Sequence, residues 1–324
     1  MPGMSTTGLL RDADIAMYEA KRAGKGQIRI FDPAMRLVAT KHLEYRGDLA
    51  DAVARDEMRL VYMPFVDLAS GQVVGAEALI RWRHREHGDI PAGEFVPIAE
   101  RSGLIVPIGE WAMGQAFAHA STWRAGLLLS MNVSPVQIRQ PEFVDRLIDL
   151  VDVHRLDPSS VVFELTEAAL ADDTGRATSA IGRLREEGFR FAIDDYGAGQ
   201  CSIASLQRQP VDLLKIDRTA VKAFGADPHG PSLARTILQM AGALDLVTVA
   251  EGIETTSQLR ELRRLGCDLG QGYLLSHPVE AAELEQRFGY PGFAPGVVDG
   301  SGGGSDPVDA NDVEVAARPS SDPS

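Results

Sequence analysis

Cysteine is scarce in this chain, and the usual marks of exported or membrane proteins are missing. The 324 residues include two cysteines, Cys201 and Cys267, too few for a disulfide framework or a cysteine metal site. No apolar run approaches 18 residues, and the first residues lack the basic and apolar regions of a secretory signal. We therefore expect free thiols and a cytoplasmic protein with no membrane segment.

Basic residues are also fewer than acidic ones. The chain has 32 Lys and Arg against 46 Asp and Glu, giving a formal net charge of -14. Such a balance argues against a nucleic acid polymer as partner. Residues 295–324 are rich in Gly, Ser, Pro and Asp and have few large apolar side chains, which predicts a disordered acidic tail.

Composition divides the remaining chain into three parts. Residues 1–33 hold a predicted helix and a short alternating strand at 27–31, and residues 34–56 have the apolar spacing of a connecting helix. Over residues 57–292, eight short apolar runs alternate with helical segments, which fits a (β/α)₈ barrel in the α/β class. A doubly wound open sheet is the alternative, although no glycine-rich phosphate fingerprint follows the first strand.

Acidic side chains recur where the predicted strands end. The acids that directly follow apolar runs are Glu77, Glu164, Asp194, Asp195 and Glu251. Three other polar residues accompany them, Asn132 after a run, Lys215 inside one and Gln271 at the start of the last. Burying an unpaired charge is costly, and a barrel gathers its strand ends on one face. The pattern therefore indicates that a cation is the missing partner.

The ligand atoms that these side chains offer are oxygens, without sulfur or imidazole. Such a set suits Mg²⁺, Mn²⁺ or Ca²⁺ rather than zinc. The adjacent Asp194 and Asp195 can serve one site only if the strand ends there and the chain turns, and residues 196–199 have the composition of a turn. One aspartate then bridges two ions, an arrangement that suits phosphodiester cleavage.

Basic side chains complete the predicted site. Lys215 is suited to stabilise negative charge that develops on phosphoryl oxygens, although a barrel lysine paired with a neighbouring acid is an equally good interpretation. Arg81 lies two residues beyond Leu79 on the same strand face, and its fork suits a substrate phosphate. His84 and His87 lie in a polar segment and are interpreted as surface residues.

The segment from Val74 to Trp82 resembles the signature of the EAL domain family of cyclic-di-GMP phosphodiesterases. The similarity continues in the family's order through residues 93–100, 132–134, 164–167, 194–199, 214–217, 250–255 and 271–273. It implies a TIM-like barrel whose first strand is antiparallel to the others. It also implies hydrolysis of cyclic di-GMP to linear pGpG with Mg²⁺ or Mn²⁺, two ions in all, and inhibition by Ca²⁺.

The resemblance further assigns a role to each matched position. The first ion would be held by Glu77, Asn132, Glu164 and Asp194, and the second by Asp194 and Asp195, with Glu251 directly or through water. Lys215 would help to position the nucleophilic water, Arg81 and Leu79 would contact the substrate, and Gln271 would contact site water or the substrate. Glu167 supports the loop after Asp195, Glu254 is a further supporting acid, and this loop is associated with homodimerisation.

Some positions depart from the family pattern. Met63 stands where glutamine is usual, Tyr196 where phenylalanine is usual, Ala198 where threonine is usual, and Val136 where a basic residue is common. None is a predicted ligand, so we expect an altered rate or affinity rather than lost chemistry.

The start of the chain resembles the last helix and closing strand of a GGDEF (diguanylate cyclase) domain, over residues 10–32. The family's nucleotide-binding motif is absent from this chain, so we interpret the segment as a remnant without cyclase activity.

Two other functions remain open from the sequence. One is a catalytically silent EAL module that binds cyclic di-GMP as a receptor. The other is a different magnesium-dependent barrel enzyme that acts on a carboxylate or a phosphate. All of the predicted metal ligands and Lys215 are present, which favours the phosphodiesterase.

Overall fold

The computed structural model describes residues 6–22, 28–166, 169, 175–197, 206, 210–222 and 233–288. Several predictions lie outside these residues, namely those for Glu167, Ala198, Cys201 and the tail at 295–324. The described residues fall into two compact units: the first comprises those within 6–58 and 82–104, and the second those within 59–81 and 105–288.

The described strands are β1 Met58–Asp67, β2 Val73–His84, β3 Gly88–Ile90, β4 Leu128–Asn132, β5 Val161–Thr166, β6 Arg190–Tyr196, β7 Leu213–Ile216, β8 Val247–Ala250 and β9 Leu269–Gly270. The described α-helices are α1 Thr6–Arg22, α2 Pro33–Ala52, α3 Ala92–Ser102, α4 Ile105–Ala120, α5 Pro135–Ile138, α6 Phe143–His154, α7 Arg176–Glu186, α8 Arg218–Lys222, α9 Leu233–Ala243, α10 Thr256–Arg264 and α11 Ala281–Phe288.

The strands of the second unit close into an eight-stranded barrel. Their order is β1-β9-β8-β7-β6-β5-β4-β2, and a further pairing of β1 with β2 closes the ring. Around this ring, from β2 through β4 to β9, every neighbouring pair is parallel, whereas β1 is antiparallel to β9. The short strand β3 pairs with the end of β2 in antiparallel orientation. The predicted barrel and its antiparallel first strand are therefore confirmed, and the open-sheet alternative is wrong because both sheet edges are paired.

Side chains along each barrel strand alternate between two faces, one directed into the barrel and the other directed toward the surrounding helices. An inner cluster of Phe65, Val162, Ala192, Leu213, Val249 and Leu269 fills the barrel. For the five members on parallel strands the residue two positions further on is polar, giving Glu164, Asp194, Lys215, Glu251 and Gln271. Since residues two apart on a strand share a face, these side chains lie in the layer above the apolar one.

The opposite faces of the same strands carry the main core. On β5, Val161, Phe163 and Leu165 are at most 1% exposed and pack in the large cluster with side chains from the helices. Helix α6 contributes Leu147 and helix α9 contributes Ile237 to that cluster. Burial on both faces explains the continuous apolar runs from which the strands were predicted.

The first unit is organised around Trp82. Its ring meets Tyr45 of α2 at 5.3 Å between centroids and Phe95 of α3 at 5.7 Å, both edge to face. The indole Nε1 donates a hydrogen bond of 3.0 Å to Glu57. This gives the buried nitrogen an acceptor, which it needs because a buried donor without one is destabilising.

Two expectations about this unit need correction. Residues 28–32 form no strand, although α1 is present where a helix was predicted. Helix α2 occupies the predicted connecting region, and Asp32 caps it through a 2.8 Å hydrogen bond from the Ala34 amide. His84 is buried rather than at the surface, since its Nδ1 accepts hydrogen bonds from two backbone amides and its Nε2 lies 3.2 Å from Asp48.

None of the helices in the described part of the chain is long and apolar enough to cross a membrane. Cys267 is a free, buried thiol, and burial raises its pKa to about 12.

Candidate active site

Lys215 lies at the centre of a buried cluster of carboxylates inside the barrel. Its side chain is 2% exposed, and its Nζ is within 4.0 Å of four acids from four other strands. The separations are 2.6 Å to Glu164, 2.7 Å to Glu251, 3.2 Å to Asp194 and 3.3 Å to Glu77. One ammonium group therefore interacts with most of the predicted metal ligands.

Glu77 is held by two amide side chains in addition to Lys215. Asn132 donates a 2.8 Å hydrogen bond to its Oε1, and Gln271 donates a 2.8 Å hydrogen bond to its Oε2. The Gln271 amide also lies 3.4 Å from Glu251. These contacts bring together side chains from β2, from β4 and from the residue that follows β9.

Glu164 has a partner that was not among the predicted site residues. Its Oε1 accepts a 2.5 Å hydrogen bond from the hydroxyl of Ser130, and its Oε2 meets Lys215. Ser130 precedes Asn132 by two residues on β4 and therefore shares its face. That spacing is the signal by which the sequence could have revealed it.

Asp194, Asp195 and Glu251 form a compact group of oxygen ligands. One carboxylate oxygen from each lies within 4.8 Å of the others. The two aspartates converge because the register of β6 against β7 shifts between Ile193 and Tyr196, and Asp195 adopts a left-handed backbone conformation with φ of 55°. A local bulge therefore directs both adjacent side chains toward one site.

The prediction that every acid follows the end of a strand was wrong. Glu77 and Glu164 lie inside β2 and β5, and the paired aspartates lie inside β6, which runs on to Tyr196. Only Glu251 directly follows its strand, and Gln271 follows β9 instead of beginning a strand. Backbone pairing continues past the site, as between Thr166 and Asp194, so the strands extend beyond the residues that face it.

Gln271 reaches the site through a close approach of two backbones. Its carbonyl accepts a hydrogen bond from the Ile253 amide at 3.1 Å, and its own amide donates to the Ala250 carbonyl at 2.9 Å. At the next residue, Gly272, an added Cβ would lie 2.2 Å from the nitrogen of Ile253. Any larger residue there would force the segment that carries Gln271 away from the segment that follows Glu251.

Replacing Gly272 by Ala is expected to lower the free energy of unfolding by about 1–3 kcal/mol, because the clash is with fixed backbone atoms. Thermal unfolding of the full chain measures the effect. Gly242→Ala is the matched control, since nothing lies within 4 Å of its added Cβ and alanine favours the interior of α9. Equal stability of the two variants would contradict this account.

Burial and mutual repulsion shift the ionisation of the cluster. Burial, reinforced by Glu77, raises the pKa of Glu164 well above its ordinary value, and burial raises the pKa of Glu251 to about 8. Desolvation together with Asp194 raises the pKa of Asp195 to about 6. Although burial opposes charge, the surrounding carboxylates hold the pKa of Lys215 well above its ordinary range, and the Lys215 ammonium holds the pKa of Glu77 below its own.

The remaining predicted site residues in the described part of the chain are Leu79, Arg81 and Glu254. Leu79 and Arg81 lie on β2 on the same face as Glu77, and both are half-buried. An Arg81 nitrogen donates a 3.0 Å hydrogen bond to the carbonyl of Ile80. Glu254 is exposed, with its carboxylate 3.8 Å from Lys222, so its supporting role stays a prediction.

The side chains present fit a hard divalent cation. The donor set is carboxylate and amide oxygen, as Mg²⁺ and Mn²⁺ prefer. Asp194 Oδ1 is buried and accepts no hydrogen bond from the described residues, although it lies near the Lys215 ammonium. Five ionised carboxylates and one ammonium would leave a formal charge of about -4, which two divalent ions would balance.

Comparisons with known proteins agree with this geometry. The EAL domain model matches residues 46–278. The bifunctional diguanylate cyclase/cyclic di-GMP phosphodiesterase MucR of Pseudomonas aeruginosa is 35% identical over 286 residues, covering 87% of this chain and 42% of MucR. An uncharacterized signaling protein of Caulobacter vibrioides is 35% identical over 292 residues, covering 90% of this chain and 36% of that protein.

A solved structure is similar in fold as well. It is described as PaMucR phosphodiesterase in complex with c-di-GMP and has a TM-score of 0.70 and 36% identity, covering 74% of this chain and 99% of that one. The chain spans less than half the length of the two curated relatives. With the family model matching most of its length and the acidic cluster lying within the matched barrel, the chain belongs to the EAL domain family.

Proposed function

We propose that this protein hydrolyses one phosphodiester bond of cyclic di-GMP, giving linear pGpG, with Mg²⁺ or Mn²⁺ as cofactor. The observation that carries the proposal is the cluster of Glu77, Glu164, Asp194 and Glu251 around Lys215. The name of MucR and the ligand in the PaMucR structure support the choice of substrate.

Two ions are proposed to share the oxygen ligands. Glu77, Asn132, Glu164 and Asp194 would hold one, and Asp194, Asp195 and Glu251 would hold the other. When bound, such ions supply activation of water and stabilisation of charge on the phosphate oxygens. The pair Asp194 and Asp195 supports this division, because the bulge in β6 turns both carboxylates to the same place.

Three further side chains would stabilise charge, orient the attacking water and bind the substrate. Lys215 keeps a fixed positive charge next to Glu251 and Asp194, where it can stabilise charge on the phosphate during reaction. Gln271 Oε1 is buried and accepts no hydrogen bond from the described residues, so it is available to orient the attacking water. Arg81 is proposed to bind a phosphate through its guanidinium group.

The proposed reaction balances without a further reactant. Water attacks one phosphorus atom, and the bond from that phosphorus to the ribose 3′ oxygen breaks. The new terminus carries a 5′ phosphate, while the leaving 3′ oxygen takes a proton and becomes a hydroxyl group. The product is linear pGpG, and the second phosphodiester bond stays intact.

Incubation of the purified full chain with cyclic di-GMP and Mn²⁺ tests the proposal, with pGpG followed by chromatography. Glu77→Ala is expected to lower turnover more than about 100-fold, because it removes a proposed ligand. Ca²⁺ in place of Mn²⁺ is expected to inhibit, since its larger coordination shell suits the site less well. Glu110→Ala is a matched control on the surface of α4, where Glu110 pairs with Arg146.

The alternative of a silent receptor makes a different prediction in the same assay. A receptor would bind cyclic di-GMP tightly and release no pGpG at any Mn²⁺ concentration. Binding without turnover would therefore overturn the enzyme proposal, while turnover of other phosphodiesters in preference to cyclic di-GMP would favour a different barrel enzyme.

Some expectations about the wider protein stay predictions. Homodimerisation through the loop after Asp195 falls mainly on residues outside those described, and sedimentation of the full chain would test it. The cytoplasmic location, the origin of residues 1–33 and the domain limits at 34–56 and 57–292 also stay predictions. So do the effects of Met63, Tyr196, Val136 and Ala198 on rate.

A further inference from the structure

We propose that Ser130 is a positioning residue for Glu164 and that its hydroxyl group sets the affinity of the metal centre. The proposal rests on the proposed function in one respect, namely that Glu164 is a metal ligand. Ser130 lies in β4, is 1% exposed, and has its Oγ 2.5 Å from Glu164 Oε1. It belongs to none of the residues that the sequence motifs single out.

The direction of this hydrogen bond follows from the acceptors available. A serine hydroxyl has one proton to donate. Two acceptors lie near it: Glu164 Oε1 at 2.5 Å and the carbonyl of Val162 at 3.4 Å. The shorter contact is to a carboxylate, which is also the stronger acceptor when ionised. Ser130 therefore donates to Glu164.

Ser130 and Lys215 together fix the orientation of the Glu164 carboxylate. Lys215 Nζ lies 2.6 Å from Oε2, so the two donors engage different oxygen atoms. Without Ser130, Oε1 would lose its hydrogen bond in a fully buried environment, which is unfavourable. The carboxylate could then rotate about its last torsion and turn both oxygens toward Lys215.

Strand β4 donates hydrogen bonds to a proposed metal ligand on each of the two strands that flank it, β2 and β5. Asn132 donates to Glu77 of β2, while Ser130 donates to Glu164 of β5. Both hydrogen bonds run diagonally between strands, since the backbone register pairs Ser130 with Glu77 on one side and Asn132 with Glu164 on the other. Two alternate residues of one strand thus orient two carboxylates that meet at Lys215.

The test measures Mn²⁺ affinity by calorimetry on the full chain. Ser130→Ala and Ser130→Cys are each expected to weaken binding about 10- to 100-fold, the usual effect of losing a hydrogen bond to a metal ligand. Cysteine leaves no cavity, since its side chain is slightly larger than that of serine, but it is a weak donor, so it separates loss of the hydrogen bond from loss of volume. At saturating Mn²⁺, turnover by both variants is expected to recover to within a few-fold of the unmodified protein.

Thr248→Val is the matched control for a merely structural effect. The Thr248 hydroxyl is buried in β8 and lies 2.7 Å from a carboxylate oxygen of Asp268, a hydrogen bond of the same type. Its loss is expected to lower the melting temperature while leaving Mn²⁺ affinity unchanged.

An affinity of Ser130→Ala within about two-fold of the unmodified protein would overturn the inference. Equal weakening by Thr248→Val would overturn it too, because the effect would then reflect general stability. These outcomes are distinct from failure of the proposed function, which would appear as Mn²⁺ binding by the unmodified protein without release of pGpG.

Discussion

Replacing Lys215 by Met is expected to lower the melting temperature of the metal-free protein by roughly 6–20 °C. The physical reason is that the substitution removes the ammonium that lies within 4.0 Å of four carboxylates, of which Glu77 and Glu164 are buried. Removing one partner of a buried ion pair lowers the free energy of unfolding by about 3–5 kcal/mol. For a domain of this size, each kcal/mol lost lowers the melting temperature by about 2–4 °C. Methionine has a similar length, so the loss reflects charge and not volume.

The same variant is expected to gain more stability from Mn²⁺ than the unmodified protein does. Its cluster would carry one more uncompensated negative charge, which a divalent cation can neutralise. Turnover is nevertheless expected to fall about 100- to 1000-fold, because the fixed charge that stabilises the reacting phosphate is gone. The variant therefore separates binding of the cation from catalysis.

Thermal melts with and without Mn²⁺, together with the pGpG assay, measure these effects. Lys222→Met is the matched control, because Lys222 is half-exposed and its Nζ lies 3.8 Å from the Glu254 carboxylate. A Lys215→Met protein that is as stable without metal as the Lys222→Met protein would show that Lys215 does not neutralise the cluster.

Asp194→Asn is expected to reduce turnover at least about 100-fold while the barrel stays folded. The substitution keeps the shape of the side chain and removes the charge of the one residue proposed to contact both ions. Asp194 is only partly buried, at 14% side-chain exposure, and its Oδ1 accepts no hydrogen bond from the described residues. Its neutral amide is therefore expected to weaken Mn²⁺ binding more than it affects unfolding.

Calorimetry with Mn²⁺, thermal melts and the pGpG assay on Asp194→Asn check this expectation. Asp145→Asn provides the comparison, since Asp145 is a surface aspartate of α6 paired with Arg183 at 2.7 Å. Full activity in Asp194→Asn would remove this residue from the metal centre. Unfolding of the variant would instead indicate that its charge is needed to balance Lys215.

The outer and inner faces of the barrel explain why the fold was predictable. Val161, Phe163 and Leu165 face the helices, while Val162 fills the barrel beneath Glu164. Both faces of a barrel strand are therefore apolar where the strand begins. Further along the strand, the first polar residue on the inner face lies at the height of the candidate active site. That pattern is local, so the sequence reveals it without knowledge of the contacts.

The errors in the sequence analysis have a common physical cause. Asp195 was expected to follow a strand end, yet a bulge and a left-handed backbone conformation bring it beside Asp194 within β6. His84 was interpreted as a surface residue, but backbone amides and Asp48 hold it in the first unit. The bulge depends on how β6 pairs with β7, and the burial of His84 depends on backbone amides and on Asp48. Neither leaves a signal in the periodicity of apolar side chains, from which the sequence predictions were made.

The residue pattern predicted the barrel and a set of oxygen-bearing side chains on its inner face, and the family resemblance predicted the antiparallel first strand. How these side chains meet is a property of the folded barrel: Lys215 lies within 4.0 Å of four acids, and Ser130 donates a hydrogen bond to Glu164. Residue type and two-residue spacing fix which side chains face the barrel interior. Which of them come within 3 Å of one another depends on the register between strands, and that register is a property of the closed barrel as a whole.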